Sequence, residues 1–368
     1  MRYRAIRGEL VARTSIHLGT GEGNDTTDDL CRRDVEGNFI IPGTAIGGAL
    51  RAIATRLAPR LGSPVCRALW TQEELSKLSD RDRNRPCGCW VCHLFGDVNP
   101  TEGDSEEEGG RASRLFVAHA KASLPLNKTP RIRDGVGIDR ATRTAARATA
   151  VKFDMEVLPK GTMFDLRLEL EDTNENDELL LAVVLAEWEA GRAWIGGCRA
   201  RGLGAFDLKN VKFLEQDLSN AEELLKFLNT DEPWVNASEQ KDWLATQLEK
   251  ARKRIQPGTA CHEGVARSFV TMQFNLKIHG PFLTNDTTTA VRSGFDSVPF
   301  LDVVSQNGKS ILQGSTLRGL LRSHAERIAR TLTTLEVSDP NEFLEKCPAC
   351  NPVESGNENA PLANCDTL

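Results

Sequence analysis

"DDLCRRDVEGNFIIPGTAIGGALRAIATRL", beginning at Asp28, recurs in outline as "FDSVPFLDVVSQNGKSILQGSTLRGLLRSHAERIARTL", beginning at Phe295. In each copy an aspartate is followed six residues later by another: Asp28 and Asp34, Asp296 and Asp302. A strand-like run then enters a Pro-Gly or Gln-Gly turn and a hydroxyl residue. A helix carrying Gly and Arg follows, "GTAIGGALRAI" against "GSTLRGLLRSH". The second copy holds three more residues between its later aspartate and the turn glycine (Asp302 to Gly314 against Asp34 to Gly43), which fits a loop insertion. Self-similarity in fixed order over this length marks a duplicated unit.

The 368 residues around these copies suffice for two or three domains with their own cores. Forty per cent hydrophobic and 27% charged is an ordinary soluble composition. No apolar run approaches the ~18 residues of a membrane span, so no membrane partner is expected and the cytoplasm is the default compartment. The opening "MRYRAIRGELVARTSIHLG" alternates and reads as a first strand, not a signal peptide. A net charge of −6 argues against indiscriminate nucleic-acid binding. The acids are segregated, however, into "TEGDSEEEGG" and the stretch from Glu215 to Glu249, so a local basic patch decides more than the sum.

Residues 1–208 read as strand, Asp-bearing loop, short strand "NFII" and a helix from Thr44, then a cysteine-rich insertion at about 66–96 and an acidic loop. Strands "SRLFVAHAKA", "VKFDMEVL" and "MFDLRLEL", a helix "DELLLAVVLAEWEAG" and a closing "WIGGCRARGLGAFDLK" complete the unit. That order predicts an α+β ferredoxin-like sheet with insertions. Residues 209–265 read as a helical connector, with "SNAEELLKFLN" and "SEQKDWLATQLEKARKRI" each opened by a serine N-cap. From 266 to 368 the pattern restarts with "SFVTMQFNLKIHGPFL" as an alternating strand. This second unit has no counterpart of the second helix or of "GGCRARGLG" and reads as the N-terminal part of a domain.

Ten cysteines without a secretion signal favour metal ligands over disulfides. "RPCGCWVCHLFGD" holds Cys87, Cys89 and Cys92, with Cys66 upstream, a structural zinc spacing whose four thiolates would close a tetrahedron. His93, adjacent to Cys92, is placed in packing or at the surface. Cys347 and Cys350, with Cys365 later, repeat the theme as a partial second site. Cys31, Cys198 and Cys261 are isolated thiols.

"RIRDGVGIDRATRTAARATAVK" carries Arg131, Arg133, Arg140, Arg143, Arg147 and Lys152 against Asp134 and Asp139, with no aromatic residue. It reads as an extended hairpin or arm whose charges suit phosphates, or as a solvated loop. "GGCRARGLGAF" places Gly197, Arg199 and Arg201 in a glycine-rich turn where amides and guanidinium groups can approach an anion. It lacks the lysine and spacing of a nucleotide P-loop. Arg51 and Arg318 lie on the helices after Gly43 and Gly314, near helix N-termini that favour phosphate.

Taken in order, "IIPGTAIGGALRA" after an Asp loop, "CHLFGD", "GVGIDRATRTA…FDMEVLPKGT" and "GGCRARGLGAF" resemble the RAMP superfamily. Within it they are similar to the backbone subunits (Cas family seven) of type III CRISPR effectors, in a tandem or fused version. The resemblance covers residues 1–208 and again 267–335. It implies a modified RNA-recognition fold that tracks a CRISPR guide RNA among other effector subunits, with a thumb hairpin at Arg131–Lys152 that displaces a base. It also implies that a loop aspartate cuts complementary target RNA with a divalent metal, Mg2+ or Mn2+. Carried over by motif, that aspartate is Asp296 in the second unit and Asp28 in the first, with Asp29 adjacent. The recurring "NDTT" makes Asp25 and Asp286 second choices.

No Ser-His-Asp or Cys-His constellation is legible, and His17 and His279 on first strands read as packing or surface residues. The expected chemistry is attack by the RNA's own 2′-hydroxyl, with orientation supplying much of the rate. A non-catalytic guide-RNA scaffold is the rival reading. A guide-processing ribonuclease ranks last, because the one tyrosine is Tyr3.

Overall fold

The computed structural model describes residues 2–79, 86–97, 110–126, 128–137, 152–255, 272–286, 289–290, 293–302, 309–337, 339, 342–343 and 346–349. The strands are β1 (Arg2–Ala12), β2 (Ile40–Ile41), β3 (Leu115–Val117), β4 (Ala120–Ser123), β5 (Arg131–Val136), β6 (Lys152–Val157), β7 (Met163–Leu170), β8 (Ala193–Trp194), β9 (Ala205–Asp217), β10 (Ser238–Glu239), β11 (Leu301–Asp302) and β12 (Lys309–Ser310). The helices are α1 (Gly43–Leu57), α2 (Gln72–Ser76), α3 (Trp90–Phe95), α4 (Glu175–Glu189), α5 (Ala221–Leu228), α6 (Trp243–Arg254) and α7 (Gly314–Glu336).

Alternation along β1 buries Ile6, Leu10 and Ala12 on one face and leaves Glu9 exposed on the other. The strand therefore sits mid-sheet, antiparallel to β7 from Arg4↔Leu170 to Val11↔Met163 and to β9 from Arg2↔Asp217 to Ala12↔Phe206. β7 pairs in turn with β3 and β4, and β4 with β2. The order β9–β1–β7–β3/β4, with α1 and α4 as the two helices, is the ferredoxin-like arrangement.

Helix α4 is apolar nearly all round, because it packs against the sheet, α1, α3 and α6 together. Leu179 to Ala182, Val184, Leu185 and Trp188 are all buried. Asn174 starts the helix with a capping box completed by Asp177.

Two expectations change. The first unit does not end at 208: β9 continues to Asp217 against β1, and β10 pairs with it. Trp243 of α6 stacks on Phe213 with ring centroids 4.4 Å apart, and Ala251 joins the same core. Residues 209–254 thus build the first unit and are not a connector. Their helices start differently too. Asn220 caps α5 by accepting from Glu222 N, and Ser238 lies in β10 ahead of α6.

The second change concerns the restart. Residues 272–284 form no strand, and Met272, Phe274, Leu276 and Ile278 are 58–76% exposed. The alternation is present, but among the described residues its backbone is paired only at its end, where Phe300 N donates to Thr284 O, and its apolar face is uncovered. Helix α7 likewise buries only Glu326 and Thr333. Among the described residues no helix is long and apolar enough to cross a membrane.

Candidate functional site

β5 and β6 form a separate two-stranded hairpin, paired from Arg131↔Val157 to Val136↔Lys152. Its tip, with Arg140, Arg143 and Arg147, lies outside the described residues. The root of β6 holds the acidic loop alongside it. Asp29 N donates to Asp154 O at 3.2 Å and Glu156 N to Asp29 O at 2.9 Å. Asp154 N donates to the Asp28 carboxylate at 2.8 Å. The Glu156 carboxylate, almost wholly buried, accepts from Cys31 N at 2.9 Å and from the Arg33 guanidinium at 2.8 Å.

Asp28 and Asp29 are adjacent but face differently. Asp28 is exposed, with one oxygen tied to the hairpin root. Asp29 is half-buried and turns toward His17, with its Oδ2 2.9 Å from His17 Nε2 and its Oδ1 accepting from Gly21 N at 3.3 Å. Asp25 is exposed in a turn whose amides are capped by Asn24 Oδ1. Burial, then the facing Asp134 carboxylate across the hairpin, holds Asp154 above its ordinary pKa, and Asp28 adds to the same effect. Asp134 and Asp28 therefore both act on Asp154 at the hairpin root.

Backbone hydrogen bonds put the two aspartate loops in register. In the first unit Thr20 N donates to Leu30 O, Arg32 N to Leu18 O and Ile40 N to Arg32 O. In the second, Asp286 N donates to Val298 O, Phe300 N to Thr284 O and Ile311 N to Phe300 O. Counted back from Leu30 and Val298, Asp296 then corresponds to Asp28, and Gly314 to Gly43; the second segment holds two extra residues between Asp286 and Val298 and three between Phe300 and Ile311. Asp296 is exposed. Asp286 corresponds to Thr20, not to Asp25, so the recurrence of "NDTT" is out of register. Its carboxylate accepts from Thr289 N and Oγ1 at 3.0 and 2.8 Å and lies 3.6 Å from Arg131 Nη1.

The glycine-rich loop packs on the same hairpin. Leu203 clusters with Met155 and Val157, and the Arg201 guanidinium lies over the Phe153 ring at 5.5 Å. Gly196, at φ +94°, is required: a Cβ there would stand 2.5 Å from His17 O. Gly197 N donates to that carbonyl at 3.0 Å. Arg199, Arg201, Lys152 and Arg318 are exposed. Arg133 is drawn to the second unit, donating to Gln313 Oε1 at 3.0 Å and Ser315 Oγ at 2.9 Å, and burial pulls its pKa down.

A family profile for the RAMP superfamily matches residues 9–207, more than half of the 368-residue chain. The chain belongs to the RAMP superfamily. It is also similar to a protein of Methanothermobacter thermautotrophicus named CRISPR system Cms endoribonuclease Csm3. The two are 22% identical over 227 residues, covering 57% of this chain and 85% of that relative.

Within the RAMP domain the insertion draws Cys66, Cys87, Cys89 and Cys92 together, all buried, with their sulfurs within 4.8 Å of one another. The Cys66 and Cys92 sulfurs are 3.7 Å apart. Ligands at about 2.3 Å in a tetrahedron lie about 3.8 Å from each other, so the cluster is compatible with zinc. Crowding pushes the Cys92 thiol up, through Cys66 first, and draws Cys87 down, again through Cys66. Arg51 does not face outward to phosphate; its Nη2 lies 3.5 Å from Cys92 Sγ, because α1 turns that face to the insertion. His93 is no ligand. Its Nδ1 lies 2.8 Å from both oxygens of the buried Asp177, which pins the insertion to the start of α4. Cys347 is partly buried, while Cys350, Cys365 and Cys261 lie outside the described residues.

Sequence reasoning missed Glu156 and Asp154 and undervalued His17. The "FDMEVL" run reads as a strand, and a carboxylate turned inward from it leaves no spacing signal. His279 is exposed in the strandless segment 272–284.

Proposed function

We propose that this RAMP protein is a backbone subunit of a type III CRISPR ribonucleoprotein that binds guide RNA and cuts complementary target RNA at Asp28 and Asp296. The observation that carries this reading is an exposed aspartate tied to the root of an arginine-bearing hairpin, with an equivalent exposed aspartate in the same hydrogen-bond register of the second segment. The Csm3 relative, named an endoribonuclease of a CRISPR system, supports the same chemistry. The matched second segment supports a tandem RAMP architecture, with other effector subunits as partners.

In this mechanism the hairpin parts guide from target and splays the target backbone at the loop. Arg199, Arg201 and Lys152, all exposed around the hairpin, engage phosphates. The amide of Asp154 orients Asp28 so that its free oxygen faces the kinked phosphodiester. A magnesium or manganese ion held by Asp28, with Asp134 and Asp154 close by, would stabilise charge on the reacting phosphate. In-line placement of the 2′-hydroxyl by the splayed backbone provides the remaining rate. The four cysteines would hold a zinc in a structural role.

The test is cleavage of a complementary RNA by the assembled complex, with and without chelator. Asp28→Ala should abolish one cut and Asp296→Ala another, each leaving guide RNA bound. Cutting at every position in the double variant would reject this chemistry and leave the guide-binding scaffold as the function.

A further inference from the structure

We propose that His17 is a positioning residue that locks the acidic loop to the glycine-rich loop and thereby fixes how Asp28 is presented. This inference rests on the reading of Asp28 as the cleaving carboxylate.

The His17 side chain is 6% exposed. Its Nδ1 donates to Glu156 O on β6 at 2.7 Å, since a carbonyl can only accept, and its Nε2 lies 2.9 Å from Asp29 Oδ2. Two glycines lie close to the ring. A Cβ on Gly19 would stand 2.9 Å from His17 Nε2 and 2.5 Å from Asp29 Oδ2, and one on Gly197 would stand 3.5 Å from His17 Cδ2. The His17 carbonyl accepts from Gly197 N. One residue therefore joins β6, the acidic loop and the glycine-rich loop.

The link to Asp28 is geometric. Asp29 pairs with β6 as an extended residue, through the bridge Asp29↔Met155. Asp28, at a bend immediately before it, reaches Asp154 N of the same strand with its carboxylate, so holding Asp29 on the imidazole holds the backbone from which Asp28 is presented. Without the imidazole, Asp29 can rotate to solvent and the strip can shift against β6. A misplacement of about 1 Å at a reacting group can lower a rate about 100-fold.

The experiment uses the full chain assembled with guide RNA and a saturating complementary target. His17→Ala and Gly19→Ala are compared with Asp28→Ala. Gly19 lies outside the left-handed φ region, so alanine is admitted by the backbone and acts by wedging the histidine and aspartate apart. Both variants should slow the first unit's cut about 100-fold, with guide retention and target affinity unchanged. The cut assigned to Asp296 should stay at its wild-type rate, and His17→Asn, which can still donate toward Glu156 O, should recover part of the loss. Wild-type cutting by either variant alongside a dead Asp28→Ala overturns the inference and spares the functional reading. So does a loss that follows lost guide RNA in both variants. A wild-type complex that holds guide RNA but cuts nowhere defeats the functional reading, and this inference with it.

Discussion

Glu156 offers the sharpest test of how the acidic loop is held. Its carboxylate is almost wholly buried and accepts from Cys31 N at 2.9 Å and Arg33 Nη2 at 2.8 Å. Glu156→Ala removes both. A hydrogen bond to a charged group contributes about 1.5–3 kcal/mol. The Arg33 side chain is 39% exposed, so its ion pair is screened and adds at most about 1 kcal/mol. The expected loss is roughly 2–4 kcal/mol, confined to the strip that runs beside β6. Glu156→Gln keeps the shape and one acceptor, and should cost about 1 kcal/mol. Native-state hydrogen exchange reads this directly, because 2 kcal/mol corresponds to about 30-fold faster exchange of an amide released by local opening. The Cys31 amide should show that acceleration in Glu156→Ala, and the first unit's RNA cut should slow while guide RNA stays bound. Exchange of Cys31 within threefold of wild type in Glu156→Ala, or a glutamine variant as damaged as the alanine one, would refute the account.

The cysteine cluster predicts one tightly held zinc per first unit by elemental analysis. Chelation at acid pH should release it as protons compete for the thiolates, and Cys92→Ser should lower the melting temperature together with the zinc content. In the core, Trp188 is fully buried and its indole Nε1 has no hydrogen-bond partner among the described residues. Trp188→Ala should therefore cost about 3–5 kcal/mol in chemical denaturation. Trp188→Phe should cost under about 1.5 kcal/mol, because it removes an unpaired donor along with modest volume.

The parts of the fold that were legible in the sequence are those whose partners are local or periodic. β1 and β9 announce themselves by alternation, α1 by a 3.6-residue period and α4 by a long apolar run behind an Asn cap, and the sheet follows from their order. Cys87, Cys89 and Cys92 lie close in sequence and converge as their spacing implied, and Cys66, 21 residues before Cys87, joins them. The extent of the first unit was not legible. Membership of 209–254 depends on Trp243 meeting Phe213, a contact that neither segment encodes alone. The strand at 272–284 failed for the opposite reason: its period is correct, but pairing is a property of two strands, and among the described residues its edge is paired only at Thr284.

The loop aspartates show the same division more sharply. Tetrapeptide identity aligned Asp25 with Asp286, while spacing to the following strand aligned Asp28 with Asp296, and sequence alone could not rank one cue over the other. The hydrogen bonds can, because Asp286 N and Thr20 N occupy the same rung while Asp25 occupies none. Strand register is set by which amide meets which carbonyl, so a four-residue identity carries no structural equivalence unless it preserves that pairing. The orientation of Asp29 depends likewise on a residue twelve positions earlier, His17, and on a hairpin more than a hundred positions later. Which of two neighbouring aspartates faces solvent is thus decided by the tertiary clamp around them, and substitutions at His17, Gly19 or Glu156 should move that choice while leaving both aspartates in place.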